Sequence, residues 1–433
     1  MARRTNGTAI RNRAEDESEE DVDSGWAWVV LAASFVANAI TLGTNFAFSV
    51  FYAEWIDYFG KGPTATSMLL SMSAALVLAA GAPASILANR FGARAVIMVG
   101  GLLSAAGFGA SAFVNSFELL FLTYGLMTGL GNGLAYAPSF GVLPLYFRKR
   151  RNFATSIVTA GNGVGIVLFS VLFRHLITTY TWRGAMLING GIALNLIPCG
   201  AAIFKRQPRS ATSGAAQFAE LSLFKEASYY ISMAHFLFMG SQYIFVVYCL
   251  KYAQDELHIT KEKAAMIVSI MGAANIVGRS LVAFLSVSPK LASTQNRFFF
   301  LHFMSLCVAV TIACYPLCHT YITACVMAGL VGLSWGTKFS LTPGLQMDVS
   351  SAKRFQAAWG YLVLILGISF FGFPPIAGEI AKLTGTFASA FYFSGLMSLV
   401  AFCFCPLLHF LWWKKYSANA QETKRDHILL GPS

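Results

Sequence analysis

The chain reads as an all-α polytopic membrane protein, with twelve transmembrane helices in two six-helix halves, on three observations. Of its 433 residues, 56% are hydrophobic and only 12% are charged, whereas a soluble domain carries about 25% charge. Apolar runs near or above the ~20 residues that cross ~30 Å of hydrocarbon recur along the whole length. The longest internal polar break, residues 205–228, divides those runs six and six.

Taken in order, residues 1–24 hold Arg3, Arg4, Arg11 and Arg13 and then an acidic stretch from Glu15 to Asp23, and they lack the apolar residues a core needs. They are expected to form a disordered cytosolic tail. An acidic stretch is also the wrong flank for a cleaved signal peptide, so the first span is expected to direct insertion itself. The first half, 25–204, carries apolar runs at roughly 26–52, 65–88, 95–114, 117–143, 153–174 and 183–204. The second half, 229–413, carries them at roughly 229–250, 264–287, 298–316, 320–346, 355–381 and 386–413, before a polar cytosolic tail at 414–433. Adjacent Pro374 and Pro375 predict a kink in span eleven. Trp412, Trp413, Lys414, Lys415 and Tyr416 mark the interface where span twelve ends.

The net charge of +12 would suit nucleic acid, but its distribution does not. Lys and Arg cluster in the short breaks on the side shared with the termini, above all the run Arg148, Lys149, Arg150 and Arg151. By the positive-inside rule both termini are cytosolic. Past that run, Ala160, Gly161, Gly163 and Gly165 line an apolar helix with small residues, which lets a neighbouring backbone approach closely.

The eight cysteines fall in apolar segments, form no Cys-x-x-Cys pair and join no histidines at metal spacing, so they read as packing residues with no metal or cofactor implied. No Ser, His and Asp arrangement, carboxylate pair within the spans or phosphate-binding glycine loop points to an enzyme.

An ionisable group inside a span costs roughly 2.5–3.5 kcal/mol on insertion scales and calls for a reason. In span eight, Asn275 and Arg279 stand four residues apart, on one helical face. A guanidinium is a planar fork of donors suited to a carboxylate; the alternative is an arginine snorkelling to the cytosolic interface. Lys338 in span ten either supplies a second cation to a substrate site or snorkels in the same way. His235 in span seven is either a proton relay or a hydrogen-bonded packing residue. Asn38, Asn45, Asn132, Asn162, Gln242 and Tyr243 lie at cavity depth, where polar groups line a site or bond neighbouring helices.

Two signatures carry a family resemblance. Tyr146, Phe147, Lys149, Arg150, Ala154 and Gly161 to Gly165 resemble the fifth-helix signature of the monocarboxylate transporter family, within the major facilitator superfamily. Asp23-Ser24-Gly25-Trp26-Ala27-Trp28 is similar to the acidic-Gly-Trp-x-Trp start of that family's first helix. Pro343, Asp348, Phe373-Pro374-Pro375, Ala377-Gly378 and Thr384-Gly385 match its pattern around helices ten and eleven. Asn89-Arg90-Phe91-Gly92-Ala93-Arg94 resembles the superfamily's cytosolic loop, with Asn89 where many members have aspartate. Asn89, Arg90, Arg94, Lys149 and Arg150 are then either a cytosolic latch between helix ends or plain topology signals.

The resemblance implies a major facilitator fold, a midplane site alternately open to each side, a plasma-membrane location, a small carboxylate substrate and a single-pass immunoglobulin-like chaperone as partner. It also implies that Arg279 binds the substrate carboxylate. Two positions depart from the family: Asn275 stands where it has an aspartate that exchanges the proton, and Phe46 where proton-coupled members carry a lysine. The expected activity is secondary transport of small monocarboxylates. The departures favour a proton-independent carrier of a zwitterion such as creatine or carnitine, or of an aromatic amino acid. A reading of another class is a nutrient receptor or scaffold that binds without flux.

Overall fold

The computed structural model describes residues 25–147, 151–203, 225–285, 293–350 and 355–429, and all regular structure among them is helical. The tail 1–24, most of the linker 205–228 and the pair Lys149 and Arg150 lie outside the described residues. Helix α1 runs from Trp26–Asn38 through a π segment, Ala39–Gly43, to Thr44–Ala47 and Ser49–Phe59. Helix α2 comprises Pro63–Ala79 and Gly81–Phe91, and α3 is Ala93–Ala112. Helix α4 comprises Phe117–Leu120, a π segment Phe121–Thr128, Gly129–Gly141 and Leu143–Tyr146.

The next stretch, Arg151–Ala193, is helical almost throughout, yet it holds two spans. Thr181 takes φ 63° and reverses the chain there, giving α5 over 151–180 and α6 over 182–201. The break between the apolar runs at 175–182 suggests a loop, but helix persists up to the reversal. Its far side is anchored at once: Trp182 packs edge-on against Tyr58, and Arg183 donates to the Val114 carbonyl at 2.9 Å and to Asn115 Oδ1 at 2.8 Å.

In the second half, α7 comprises Ala227–Met239, a tight turn Gly240–Gln242 and Tyr243–Asp255. Helix α8 is Lys261–Leu285, α9 is Thr294–Cys314, α10 is Tyr321–Ser350, α11 is Phe355–Thr384 and α12 is Ala388–Leu429. Among the described residues, ten helical stretches are long and apolar enough to cross a membrane. One of them, Ala154–Ala201, contains both α5 and α6. Helix α4, with Asn132 and several glycines and tyrosines, is long enough but less apolar, and it completes the twelve. Helix α11 stays helical through Pro374 and Pro375, and Tyr248 of α7 donates to the Pro374 carbonyl at 2.7 Å. Helix α12 runs on to Leu429, into the segment whose composition suggests a polar tail.

Helices α1–α6 and α7–α12 form the two halves, which meet where α2 packs on α11 and α5 on α8. Small residues set the spacing. A side chain at Gly165 of α5 would run into the Ala39 carbonyl and the Cα of Gly43 on α1, so the two backbones touch, as small residues permit in a membrane. Gly165→Leu is therefore expected to lower the yield of folded protein several-fold through overpacking, whereas Gly109→Leu, which has open space around it, leaves the yield near wild type; fluorescence-detected size exclusion in detergent measures both.

Candidate functional site

The π segment of α1 ends just before Asn45 and Phe46. An extra residue per turn re-aims the side chains that follow, which is why such segments recur at functional sites. Phe46 lands on the seam between the halves, where its ring meets Tyr243 of α7 at 5.6 Å, Trp335 of α10 at 5.3 Å and Phe370 of α11 at 6.4 Å. Tyr243 and Phe370 stack at 4.4 Å. Four buried rings thus close the centre of the bundle with a layer drawn from both halves. Asn45 turns aside, its Nδ2 donating to Ser73 Oγ of α2 at 3.1 Å.

Helix α8 carries the other part of the site. Arg279 Nε donates to Asn275 Oδ1 at 2.8 Å, so the one-face spacing is realised as a bond. Asn275 is the one hydrogen-bond partner of Arg279 among the described residues, and no carboxylate pairs with the guanidinium there. With 5% of its surface exposed, Arg279 does not snorkel. Its Cζ lies 5.9 Å from the ring of Phe339, which in turn meets Trp335 at 5.8 Å. Tyr136 of α4 stands within electrostatic reach of it from the other half. A cation held in place, without a counter-ion among the described residues and with its forked end unspent, is chemically fitted to an anion.

Other candidates fall elsewhere. Lys338 is 1% exposed and does not snorkel either, yet its Nζ faces away from the seam, towards His235 and Cys405 inside the second half. The reason lies on α10 itself: Gly332 and Gly336 abut the backbone of Met271 and Asn275 on α8. Lys338, two residues past Gly336, falls roughly 200° round the helix from that contact. Arg90 and Arg94 are exposed and make no ion pair among the described residues; Lys149 and Arg150, and the side chain of Asn89, lie outside them.

Sequence reasoning missed an ionic cluster at the end of the bundle away from the termini. Glu54 of α1 accepts from Arg174 of α5 at 2.8 Å and from Lys261 of α8 at 2.9 Å. Lys261 also pairs with Asp57 at 3.2 Å, and Arg174 with Glu262 of α8 at 3.3 Å. Nearby, Thr64 of α2 donates to Glu379 of α11 at 2.9 Å. The halves are therefore tied at that end, while Arg279 lies about five turns down α8 towards the other. Opposite charges at matching ends of spans one, five and eight were the available signal. Trp335, Phe339 and Phe370 were missed because aromatic residues are common throughout these spans.

Twelve helices in two halves, with a buried cation beside their seam that pairs with no carboxylate among the described residues, have the architecture of a secondary transporter. The sequence profile of the Major Facilitator Superfamily matches residues 34–354. Monocarboxylate transporter 3 of Rattus norvegicus is 31% identical, covering 86% of this chain and 78% of its own. Monocarboxylate transporter 12-B of Danio rerio is 28% identical, over 86% of this chain and 85% of its own. Monocarboxylate transporter 14 of Mus musculus is 25% identical, over 91% and 92% respectively. The crystal structure of a D-xylose-proton symporter matches with a TM-score of 0.69 over 90% of this chain and 98% of that one; at 15% identity it speaks to the fold alone. The chain belongs to the Major Facilitator Superfamily and, within it, to the monocarboxylate transporter family.

Proposed function

We propose that the protein carries a small monocarboxylate across the plasma membrane by alternating access, with both termini in the cytosol. The observation that carries this is the buried Arg279, fixed by Asn275 and left without a carboxylate. The substrate carboxylate completes that pair, and the layer of Phe46, Tyr243, Trp335 and Phe370 bounds the space for its organic part. On this reading the ionic cluster closes the far end and the substrate enters from the side of the termini, an inward-facing arrangement.

A second reading is supported by the neutral residues at 46 and 275. An amide rather than a carboxylic acid beside Arg279 leaves that position without a titratable group, which suits a proton-independent carrier of a zwitterion such as creatine. Uptake of labelled lactate, pyruvate and creatine into proteoliposomes, with and without an imposed pH gradient, separates the two. Lactate uptake with trans-stimulation supports the first, and creatine uptake alone supports the second. Saturable binding of a substrate with no flux of any would replace both with a receptor.

A further inference from the structure

We propose that the cavity enclosed by α7, α9, α10 and α12, inside the second half and away from the seam, binds a monovalent anion of halide size, such as chloride, as the counter-ion of Lys338. Its lining includes Ser232, His235, Thr342, Gln346 and Cys405 among apolar residues, and no carboxylate. At about 20 Å³ it has room for one particle of the size of a water molecule or a halide.

Lys338 turns towards this cavity. Along α10, Lys338, Thr342 and Gln346 follow one another at four-residue spacing and so share one helical face. Thr342 and Gln346 line the cavity, and Lys338 stands at the head of their row. From there its Nζ is within electrostatic reach of His235 and Cys405, lining residues contributed by α7 and α12. Nζ is buried and makes no hydrogen bond or ion pair among the described residues. An ammonium shut away from water without a counter-ion is among the most costly groups a fold can hold, and a neighbouring anion offsets much of that cost.

The lining selects the kind of ion. A cation would be repelled by Lys338 and would meet no carboxylate. An anion meets the three N–H donors of the ammonium, and the Gln346 amide brings further N–H groups to the same row. Other donors are scarce, because Ser232 donates to the Ser228 carbonyl at 2.9 Å and Thr342 to the Lys338 carbonyl at 2.6 Å. His235 Nδ1 donates to the Ala401 carbonyl at 2.9 Å, which leaves a lone pair on Nε2. That lone pair seats the ion on the α10 side, against the ammonium. A phosphate or an organic carboxylate needs more room and more donors than these, whereas a halide needs little directional bonding and its single charge matches the one ammonium. The site does not rest on the carrier reading, since the ion sits inside one half and away from the seam.

Thermal unfolding of the detergent-solubilised full chain, followed by tryptophan fluorescence in sodium chloride and in sodium gluconate of equal ionic strength, tests the site. Wild type is expected to unfold about 2–4 °C higher in about 150 mM chloride, with a saturable dependence on its concentration. Lys338→Met removes the charge at nearly constant volume and is expected to lose that difference. Arg279→Ala, which removes the cation of the cleft, is expected to keep it. Equal wild-type midpoints in the two salts, a difference that survives Lys338→Met, or one that disappears with Arg279→Ala would each overturn the inference. Where Lys338→Met fails to fold, wild-type crystals grown in sodium bromide decide. An anomalous peak beside Lys338 Nζ supports the site, and its absence there overturns it.

Discussion

Arg279→Ala is expected to lower uptake of any carboxylate substrate by about a hundredfold or more at equal surface abundance, since charge-assisted hydrogen bonds contribute about 1.5–3 kcal/mol each. The loss has two parts. The substrate carboxylate would enter a buried space with no cation to meet it, and Asn275 Oδ1 would lose the donor that now holds it at 2.8 Å. Arg279→Lys is the sharper test. An ammonium keeps the charge but offers no planar fork, so it cannot serve Asn275 and a carboxylate together in the present geometry. It is expected to recover less than about a tenth of wild-type uptake on that account. Initial rates of labelled substrate uptake, normalised to surface-biotinylated protein, measure both variants. Wild-type rates in the alanine variant would remove Arg279 from the site.

The same pair shows what could be read before the fold was known. Asn275 and Arg279 are four residues apart on a helix that apolar periodicity already defines, so their meeting is local and follows from helix geometry alone. The number and order of spans were legible for the same reason, because each is a property of one continuous stretch. Phe46 is different. Its contacts come from α7, α10 and α11, and nothing near it in sequence states which rings will converge there.

Lys338 lies between these cases. Its burial beside His235 depends on three helices, but its direction was written on α10 in the glycines at 332 and 336, which reserve one face for α8. Two residues further on, a side chain must point away from that face. The reversal at Thr181 was not legible, because the positive φ sits on a residue that rarely adopts it. What fixes it is tertiary, through the rings packed on Trp182 and the bonds of Arg183.

Lys261→Glu is expected to release the tied end of the bundle and shift the resting protein away from this conformation. Lys261 is the only donor from α8 to both Glu54 and Asp57 among the described residues, so one substitution breaks two ties between the halves and sets three carboxylates together. The side chains are partly open, with Lys261 36% and Asp57 52% exposed, so each pair contributes no more than about 0.5–1 kcal/mol. Two lost pairs and the new repulsion amount to about 2 kcal/mol, or about thirtyfold in the conformational equilibrium. Lys261→Ala loses the pairs without the repulsion and should shift it by less, and the Arg174 to Glu262 pair at 3.3 Å still spans the halves in both variants. Single-molecule fluorescence transfer between dyes on the far ends of α2 and α9 would record the change as a longer-distance population. Salt should diminish the difference between wild type and variants, because screening weakens exposed pairs first. A distance distribution indifferent to both substitutions would mean that the cluster decorates the end of the bundle without holding it, leaving the α2 to α11 contact and the packing of Phe46 on Tyr243 and Trp335 to set the closed state.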